Sequence, residues 1–201
     1  MILTEDNIKR LHKKYATTAE LFDEVYTHCR IIADIASHLI EERCGSILAD
    51  PRLVRIGCLL HDIGIYRLYD ENGVRHADKE YIEHGILGWD ILKSEGLPEE
   101  ICRFASCHTG MGLSKEEVHA QKLPMPVADY AARTVEERLV MYADKFHSKI
   151  SPPAFITAQN RSRRIQRFGE HKVMRFEGCV QEFGLPNLES MAKKWGHVIH
   201  G

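Results

Sequence analysis

The segment Leu59-Leu60-His61-Asp62-Ile63-Gly64 places an imidazole and a carboxylate side by side at the end of an apolar run. Apolar runs are normally buried, and burying a His-Asp pair costs free energy unless another group compensates it. A bound metal ion would provide that compensation. The alternative is an exposed helix end, because a His-Asp dipeptide also occurs by chance. The rest of the sequence has to decide between these two interpretations.

Apolar residues recur at three- and four-residue spacing along most of the chain, and Gly and Pro fall between these stretches. This periodicity predicts helices throughout, and no alternating stretch indicates a strand. We therefore predict an all-α bundle. Residues 1–150 form its main domain, with the core over 18–150. Ser151-Pro152-Pro153 marks the boundary to a helical extension over 151–201, which is expected to pack on the same domain.

The ends of the first long helices carry recognisable capping residues. Thr17 or Thr18 begins a helix that runs to about Glu42. The next helix begins at Asp50-Pro51, a good N-cap and first-turn pair, and delivers the His-Asp pair just before its end. Gly64 is the expected C-cap of that helix.

Further elements are predicted in the middle of the chain. A polar loop covers residues 65–78, and a helix follows over about 79–95. Two pairs have the spacing of capping boxes that begin helices, namely Ser114 with Glu117 and Thr134 with Glu137. The helix that the second box begins is expected to include both Asp144 and His147.

The composition argues against several classes of protein. The chain has 201 residues and a formal net charge of −2, so it carries neither the basic surplus of a nucleic-acid binder nor an acidic tail. No apolar run approaches the length of a membrane span, and segment 1–15 lacks the apolar core of a signal peptide. We therefore expect a cytoplasmic protein without nucleic-acid or membrane partners. Twelve histidines are many for this length, and histidine serves both metal binding and acid–base chemistry.

The cysteines are scattered and form no C-x-x-C pair, which argues against a zinc knuckle or a dithiol motif. Most of them fall within helical patterns, and we expect buried free thiols in a reducing compartment. Their positions are Cys29, Cys44, Cys58, Cys102, Cys107 and Cys179.

Five predicted helices each place a potential metal ligand at a buried position or at a helix end. These ligands are His28, His61 with Asp62, His84, His108 and Asp144. His28, for example, takes the vacant place between Val25 and Ile32 in the apolar stripe of its helix. Each residue alone has an ordinary explanation, such as a hydrogen-bonded core histidine or an ion-paired aspartate. Coincidence explains the whole set poorly, and helical bundles build metal sites in this way.

The chemistry of these ligands limits the metal. Nitrogen and oxygen ligands without thiolate suit iron, manganese, zinc, nickel or cobalt rather than copper(I) or a closed structural zinc. Six ligands exceed what one catalytic ion needs when it keeps an open position for water. They are enough for two ions if one carboxylate bridges. The expected cofactor is therefore a divalent transition metal, bound as two ions, with iron or manganese favoured.

Together these residues resemble the signature of the HD-domain superfamily. The matching residues are His28, His61, Asp62 and Asp144 for its H…HD…D pattern, and His84 and His108 for the two additional histidines of its binuclear members. His61-Asp62-Ile63-Gly64 also resembles the H-D-I-G variant, and Tyr142-Ala143-Asp144-Lys145 resembles the closing motif. The resemblance covers about residues 18–150.

The resemblance implies an HD-domain helical bundle and the usual activity of the superfamily, metal-dependent phosphohydrolysis. It implies that one ion is held by His28, His61, Asp62 and Asp144, and a second by His84 and His108, with Asp62 bridging. Two such ions would lower the pKa of a bound water toward about 7 and clamp the attacking and leaving oxygens of a phosphate ester. The ligand set is similar to that of small bacterial HD hydrolases, including those that cleave dinucleoside polyphosphates. The expected substrate is a nucleotide or another small phosphorylated metabolite.

The expected catalytic residues are Asp62 and Lys145, and the expected substrate-binding cations are Lys145 and Arg67. For Arg67 the alternative is an ordinary surface cation. Many H-D-I-G phosphodiesterases have Lys directly after the Gly, whereas this chain has Ile65, which argues against a cyclic dinucleotide as substrate. One basic cluster is predicted to be a solvated helix face, with contact to anionic substrate groups as the alternative. Its members are Arg161, Arg163, Arg164 and Arg167.

Other functions remain open at this point, because ligands alone do not fix the chemistry. Some HD proteins with this ligand set are similar to mixed-valent di-iron oxygenases that act on small organic substrates. In a third interpretation the ions only stabilise a non-catalytic module. A nucleic-acid binder is least favoured, because the basic cluster has little aromatic interleaving. A homodimer is compatible with the sequence.

Overall fold

The computed structural model describes residues 3–43 and 46–201, and most of them form α-helices. This confirms the expected all-α class. The helices are α1 (Glu5–Tyr15), α2 (Ala19–Glu42), α3 (Pro51–Leu60), α4 (His84–Ser94), α5 (Glu99–Ser106), α6 (Lys115–Ala120), α7 (Val135–Ala143), α8 (Ala158–Gln166), α9 (Glu170–Phe183) and α10 (Leu188–Trp195). Three 3-10 helices cover Ile63–Leu68, Tyr81–Glu83 and Asp144–Phe146.

The expectation of helix throughout is wrong for three short segments, which form a small sheet. They are β1 (His147–Ser148), β2 (Ala154–Ile156) and β3 (Val198–His200). Strand β2 pairs antiparallel with β1 and parallel with β3. Strands of two or three residues are too short to show alternation, and β3 comes from a distant part of the chain, so no local pattern indicates them.

The predicted helix starts are confirmed where side-chain caps were identified. Thr18 accepts a hydrogen bond from the Leu21 amide, and Asp50 accepts one from the Arg52 amide. Both capping boxes are present, at Ser114 with Glu117 and at Thr134 with Glu137. Capping depends only on residues within three positions of each other, which is why the sequence indicates it.

The role predicted for Gly64 is wrong. Helix α3 ends at Leu60, and the chain continues as a 3-10 helix in which Ile65, Tyr66 and Leu68 are buried, so the first part of the predicted polar loop lies in the core. The glycine is needed for close packing, because a β-carbon at Gly64 would overlap the carbonyl oxygen of His84 and the amide of Gly88. This contact brings the His-Asp segment against the start of α4.

Two other helix boundaries differ from the prediction. The predicted helix over 79–95 is a 3-10 turn followed by α4, so His84 is the first residue of an α-helix. Helix α7 ends at Ala143, Asp144 opens a 3-10 turn, and His147 lies in strand β1 rather than in the helix. Asp144 therefore lies at the junction between helix α7 and the turn that leads to strand β1.

The segment over 151–201 shares its apolar core with the rest of the chain. The rings of Phe176 and Phe183 of α9 pack against Tyr142 of α7 at tilted angles, and the Tyr142 hydroxyl donates to the Gly184 carbonyl at 2.6 Å. The Trp195 indole N–H donates to Asp34 of α2 at 3.0 Å. Contacts to two different helices of the main domain therefore fix the position of this extension.

The sequence predicts that the cysteines are buried free thiols and that no apolar run is long enough to span a membrane. Among the described cysteines, Cys29, Cys58, Cys102, Cys107 and Cys179 are buried free thiols, as expected. Cys44 lies outside the described residues. Over 3–43 and 46–201 no helix has the length and apolar character that crossing a membrane requires.

His12 joins α1 to the segment that carries the His-Asp pair, and sequence analysis did not identify it. Its Nε2 is 2.7 Å from the Leu59 carbonyl, and its Nδ1 is 2.8 Å from the Tyr66 hydroxyl. A neutral imidazole with its proton on Nε2 satisfies both contacts, because the tyrosine then donates to Nδ1. Burial lowers the pKa of His12 to about 4, so the neutral form is the stable one at neutral pH.

The close approach at Gly64 makes this position intolerant of a larger residue. We expect Gly64→Ala to lower the free energy of unfolding by about 1–3 kcal/mol, the usual cost of overpacking. Gly178→Ala is the control, because Gly178 is exposed in α9 and an added β-carbon meets nothing within 4 Å. It should be neutral or stabilise by up to about 1 kcal/mol. Urea denaturation measures both, and equal effects would contradict this account.

The pKa of His12 links stability to pH. Below about pH 6.5 the unfolded chain protonates this histidine, whereas the folded chain does so only near pH 4. Above pH 6.5 neutral His12 therefore contributes its full stabilisation. As the pH falls from 6.5 to 4, the free energy of unfolding decreases by about 3 kcal/mol. The stability difference between wild type and His12→Gln should shrink over this range in urea denaturation with a chelator present. A difference independent of pH would contradict the assignment.

Candidate metal centre

The six ligands predicted from the sequence lie together in the structure. The elements that position them are the middle of α2 for His28, the end of α3 for His61 and Asp62, the first residue of α4 for His84, the residue after the α5 cap for His108 and the turn after α7 for Asp144. All are buried except the Asp144 side chain, which is 18% exposed. Within each of two groups, His28–His61–Asp144 and His61–Asp62–His108, the ligand atoms lie within 4.8 Å of one another.

The two carboxylate oxygens of Asp62 face different histidines. Oδ2 is 3.3 Å from His28 Nε2 and 3.6 Å from His61 Nε2. Oδ1 is 3.5 Å from the Nε2 atoms of both His84 and His108. Asp144 lies on the Oδ2 side, where its Oδ1 is 3.1 Å from His28 Nε2. Asp62 therefore stands between two groups of ligands.

Backbone carbonyls fix the orientation of three of the imidazoles. The Nδ1 atoms of His61, His84 and His108 lie 2.7, 2.6 and 3.1 Å from the carbonyl oxygens of Cys58, Tyr81 and Phe104. A carbonyl only accepts, so in each neutral ring the proton is on Nδ1 and the lone pair is on Nε2. Metal-bound histidines are typically held in this way.

These lone pairs fit a metal cation. The Nε2 of His61 is buried and has no hydrogen-bond partner among the described residues. The Nε2 atoms of His84 and His108 are 2.9 Å apart although neither carries a proton in this tautomer, so their lone pairs face one another. A cation bound by these nitrogens and by the Asp62 carboxylate would give His61 Nε2 a partner and would remove the repulsion between the lone pairs of His84 and His108.

The protonation states of the ligands also suit a cation. Burial, with a smaller contribution from nearby positive charge, lowers the pKa of His28 to about 4 and of His84 to about 3. Burial alone would raise the pKa of Asp62 and of Asp144, but neighbouring lysines and histidines hold both well below their usual range. At neutral pH the site therefore presents ionised carboxylates and neutral His28 and His84. Burial alone would lower the pKa of His61, but the charge of Asp62 and further neighbouring groups raise it well above its usual value.

Two lysine ammonium groups lie against these carboxylates. Lys145 Nζ is 2.8 Å from Asp144 Oδ2 and 3.1 Å from the His108 carbonyl. Lys149 Nζ is 2.5 Å from Asp62 Oδ2 and supplies positive charge at the centre of the ligand set. Sequence analysis identified Lys145 but missed Lys149, which follows strand β1 and meets Asp62 only in the tertiary structure.

A chain of three histidines leads from the ligand set to the extension. His28 Nδ1 is 2.8 Å from His147 Nδ1, and His147 Nε2 is 2.9 Å from His197 Nδ1. An ionised carboxylate only accepts, so here His28 Nε2 donates to Asp144 Oδ1 and His28 Nδ1 accepts from His147. A metal bound at Nε2 would require the other tautomer, in which His28 donates from Nδ1 to His147 and His147 donates from Nε2 to His197. Burial lowers the pKa of His147 to about 2, which favours the neutral form. Sequence analysis identified neither His147 nor His197.

The ligand set opens into a cavity of about 720 Å³. Its walls include Lys145, Lys149 and three arginines of the basic cluster, namely Arg161, Arg164 and Arg167. Arg163 is exposed and does not line the cavity. Arg67, predicted to bind substrate, lies in the Ile63–Leu68 turn and is likewise not part of the cavity wall.

A family model covers more than half of the chain. The sequence model of the HD domain matches residues 25–149. This range contains all six candidate ligands and both lysines, and it ends at Lys149, directly after strand β1.

Three curated relatives match a similar stretch. A tRNA (cytidine(56)-2'-O)-methyltransferase of Picrophilus torridus is 37% identical over 126 residues, which are 63% of this chain and 32% of that protein. An uncharacterized protein of Methanocaldococcus jannaschii is 36% identical over 123 residues, 61% of this chain and 65% of that protein. A Thermoplasma volcanium protein named as the same methyltransferase is 31% identical and is covered over 31% of its length. This chain thus spans about a third of the methyltransferases and just under two thirds of the Methanocaldococcus protein.

Two solved structures have a similar fold, and both are the HD domain of the Listeria monocytogenes phosphodiesterase PgpH. One has a TM-score of 0.51 at 19% identity, with 94% of each chain covered. The other, in complex with cyclic-di-AMP, has a TM-score of 0.53 at 20% identity, with 97% of this chain and 95% of that chain covered. Identity at this level shows a shared fold and nothing more specific. With the family match over more than half its length, the chain belongs to the HD domain family.

Proposed function

We propose that this protein is a metal-dependent phosphohydrolase that cleaves a phosphate ester or anhydride of a nucleotide or another small phosphorylated metabolite. The observation that carries the proposal is the arrangement around Asp62. One carboxylate faces two groups of histidines with inward lone pairs, beside a cavity lined by cations. Membership of the HD family and the similar fold of a phosphodiesterase domain support the general class.

We assign two ions to this ligand set. His28, His61, Asp62 and Asp144 would hold one, and His84 and His108 would hold the other together with Asp62, whose two oxygens face the two groups of histidines. Iron or manganese suits these nitrogen and oxygen ligands, and zinc, nickel or cobalt remain alternatives. When bound, the metal would supply a water of lowered pKa and positive charge for the phosphoryl oxygens.

The residues of the chain around this site have separate roles. Lys145 is held by Asp144 and by the His108 carbonyl, so its ammonium group is fixed at the cavity wall. Lys149 balances the charge of Asp62 in this structure, and its ammonium group would bind phosphoryl oxygens once a metal takes over that task. Arg67 is assigned no role in substrate binding, because it lies outside the cavity wall.

The arginines of the cavity wall favour an anionic substrate such as a phosphate over an uncharged organic molecule. An anionic phosphate gains charge-assisted hydrogen bonds from arginine, whereas an uncharged molecule would leave the arginines without a counter-charge. The panel of substrates should include nucleoside phosphates, dinucleoside polyphosphates and cyclic-di-AMP. Cyclic-di-AMP belongs there because the PgpH domain forms a complex with it, although this chain has Ile65 after the H-D-I-G segment.

Phosphate or nucleotide release should depend on metal and on Asp62. Asp62→Asn keeps the shape of the side chain but removes the charge shared by the two ligand groups, and we expect it to lower turnover by more than about a hundredfold. The measurement uses protein purified anaerobically and supplied with iron(II) or manganese. Asp90→Asn is the control, because Asp90 is an exposed carboxylate in α4 and should retain full activity.

Three results would contradict the proposal. Full activity of Asp62→Asn, or turnover unaffected by chelation, would remove the metal from the reaction. Oxygen uptake by an iron-loaded protein that releases no phosphate would support the oxygenase instead. Loss of thermal stability on chelation, with no turnover on the whole panel, would support the non-catalytic module.

His147 should tune metal affinity through His28. His147→Phe removes the acceptor for the Nδ1 proton of His28, and we expect it to weaken metal binding by about 10–100-fold. His147→Asn should retain most of the affinity, because its amide oxygen can accept the same proton. A competition titration with a chelating dye measures the dissociation constants. His119→Phe, at an exposed position of α6, is the control, and equal losses in both Phe variants would contradict the role of His147.

A further inference from the structure

Three arginines of the extension line the cavity that holds the metal ligands. Arg161 and Arg164 lie in α8 and Arg167 directly follows it, so the three recur every third residue and share one face. Arg163 lies between them in sequence but does not line the cavity. The basic cluster is thus divided, and one part of it belongs to the wall opposite the HD ligands.

Arg161 is anchored beside the ligand set. Its Nε donates to the Lys145 carbonyl at 2.5 Å, and its side chain is half-buried. This bond fixes the guanidinium while its terminal N–H groups remain available, because the structure pairs them with no acceptor among the described residues. Arg164 lies close enough to Arg161 for the two positive charges to repel one another.

The other cations of the cavity are already neutralised. Lys145 pairs with Asp144, Lys149 with Asp62 and Lys172 with Glu117, at 2.8, 2.5 and 2.7 Å. The remaining carboxylate of the wall, Glu80, accepts the Glu83 amide in a capping box.

The three arginines have no such partner. None of them forms a salt bridge with a carboxylate in the part of the chain that the structure describes. Arg167 lies over the ring of Phe168, 4.7 Å from its centroid. Three guanidinium groups without a counter-charge at one wall are stabilised when an anion binds between them.

We propose that Arg161, Arg164 and Arg167 form a second anion subsite, which binds a phosphate group of the substrate other than the one that is cleaved. This rests on the proposed phosphohydrolase function and narrows its substrate class to molecules with at least two phosphate groups, such as nucleoside di- or triphosphates and dinucleoside polyphosphates. A planar guanidinium binds phosphate oxygens through two parallel N–H groups. A cavity of about 720 Å³ is large enough for a nucleotide of this kind.

Binding of inorganic pyrophosphate to chelator-treated protein tests the subsite without turnover. The double variant Arg164→Gln/Arg167→Gln removes two exposed arginines that carry no structural hydrogen bond, so the fold should be unaffected. We expect it to weaken pyrophosphate binding by about tenfold or more in calorimetric titration. Arg163→Gln removes an equally exposed charge from the same helix and should change the affinity less than about twofold.

Steady-state kinetics of the metal-loaded enzyme provides the second measurement. The double variant should raise KM for substrates with two or more phosphates and leave kcat nearly unchanged, because the arginines bind away from the cleaved bond. Monophosphate substrates should show the same KM in wild type and variant.

The two proposals fail in different ways. Unchanged pyrophosphate affinity in the double variant, or an equal loss in Arg163→Gln, would overturn the subsite. Specific loss of pyrophosphate binding in a protein that releases no phosphate would retain the anion subsite and reject the phosphohydrolase.

Discussion

The burial of the Asp62 carboxylate among four inward-facing imidazoles is the constraint on which the rest of the structure depends. A charge in the core is tolerated only with partners on all sides, and here the partners come from the ends of separate helices. Carbonyl oxygens turn three of the rings so that each Nε2 lone pair points inward. Gly64 brings the His-Asp segment against α4, and His12 holds the same segment from the opposite side. The helix ends, the orientation of the imidazole rings and the close backbone packing at Gly64 therefore all position the side chains around Asp62.

Much of this was predictable because it is encoded locally. Helix spacing and capping residues depend on neighbours within four positions, and they predicted the all-α class and the starts of α2, α3, α6 and α7. The ligand candidates stood out as polar residues at positions where an apolar residue would be expected, and the structure brings all six together. His28 is the clearest example, since its place in the apolar stripe of α2 points it into the core.

What the sequence did not reveal depends on contacts between distant parts of the chain. Strand β1 exists only because β2 pairs with it, so His147 was assigned to a helix, and Lys149 after the strand was not identified. His197 is adjacent to His147 only in space, 50 residues away in sequence. Gly64 was interpreted as a helix cap because a local pattern cannot show that the backbone of α4 passes beside it. Arg67 and Arg161 have the same charge, and only the tertiary fold separates the one outside the cavity from the one in its wall.

The histidine chain and the α8 arginines give the extension an evolutionary significance. The family match ends at residue 149, yet one wall of the cavity and the outer support of His28 come from later residues. The residues that we assign to the metal and the arginines that we propose for a second phosphate group thus come from separate stretches of the chain. A lineage can keep the reactive centre unchanged while it replaces the segment that follows. Specificity can then diverge by exchange of a short C-terminal cassette, without any substitution among the six ligands.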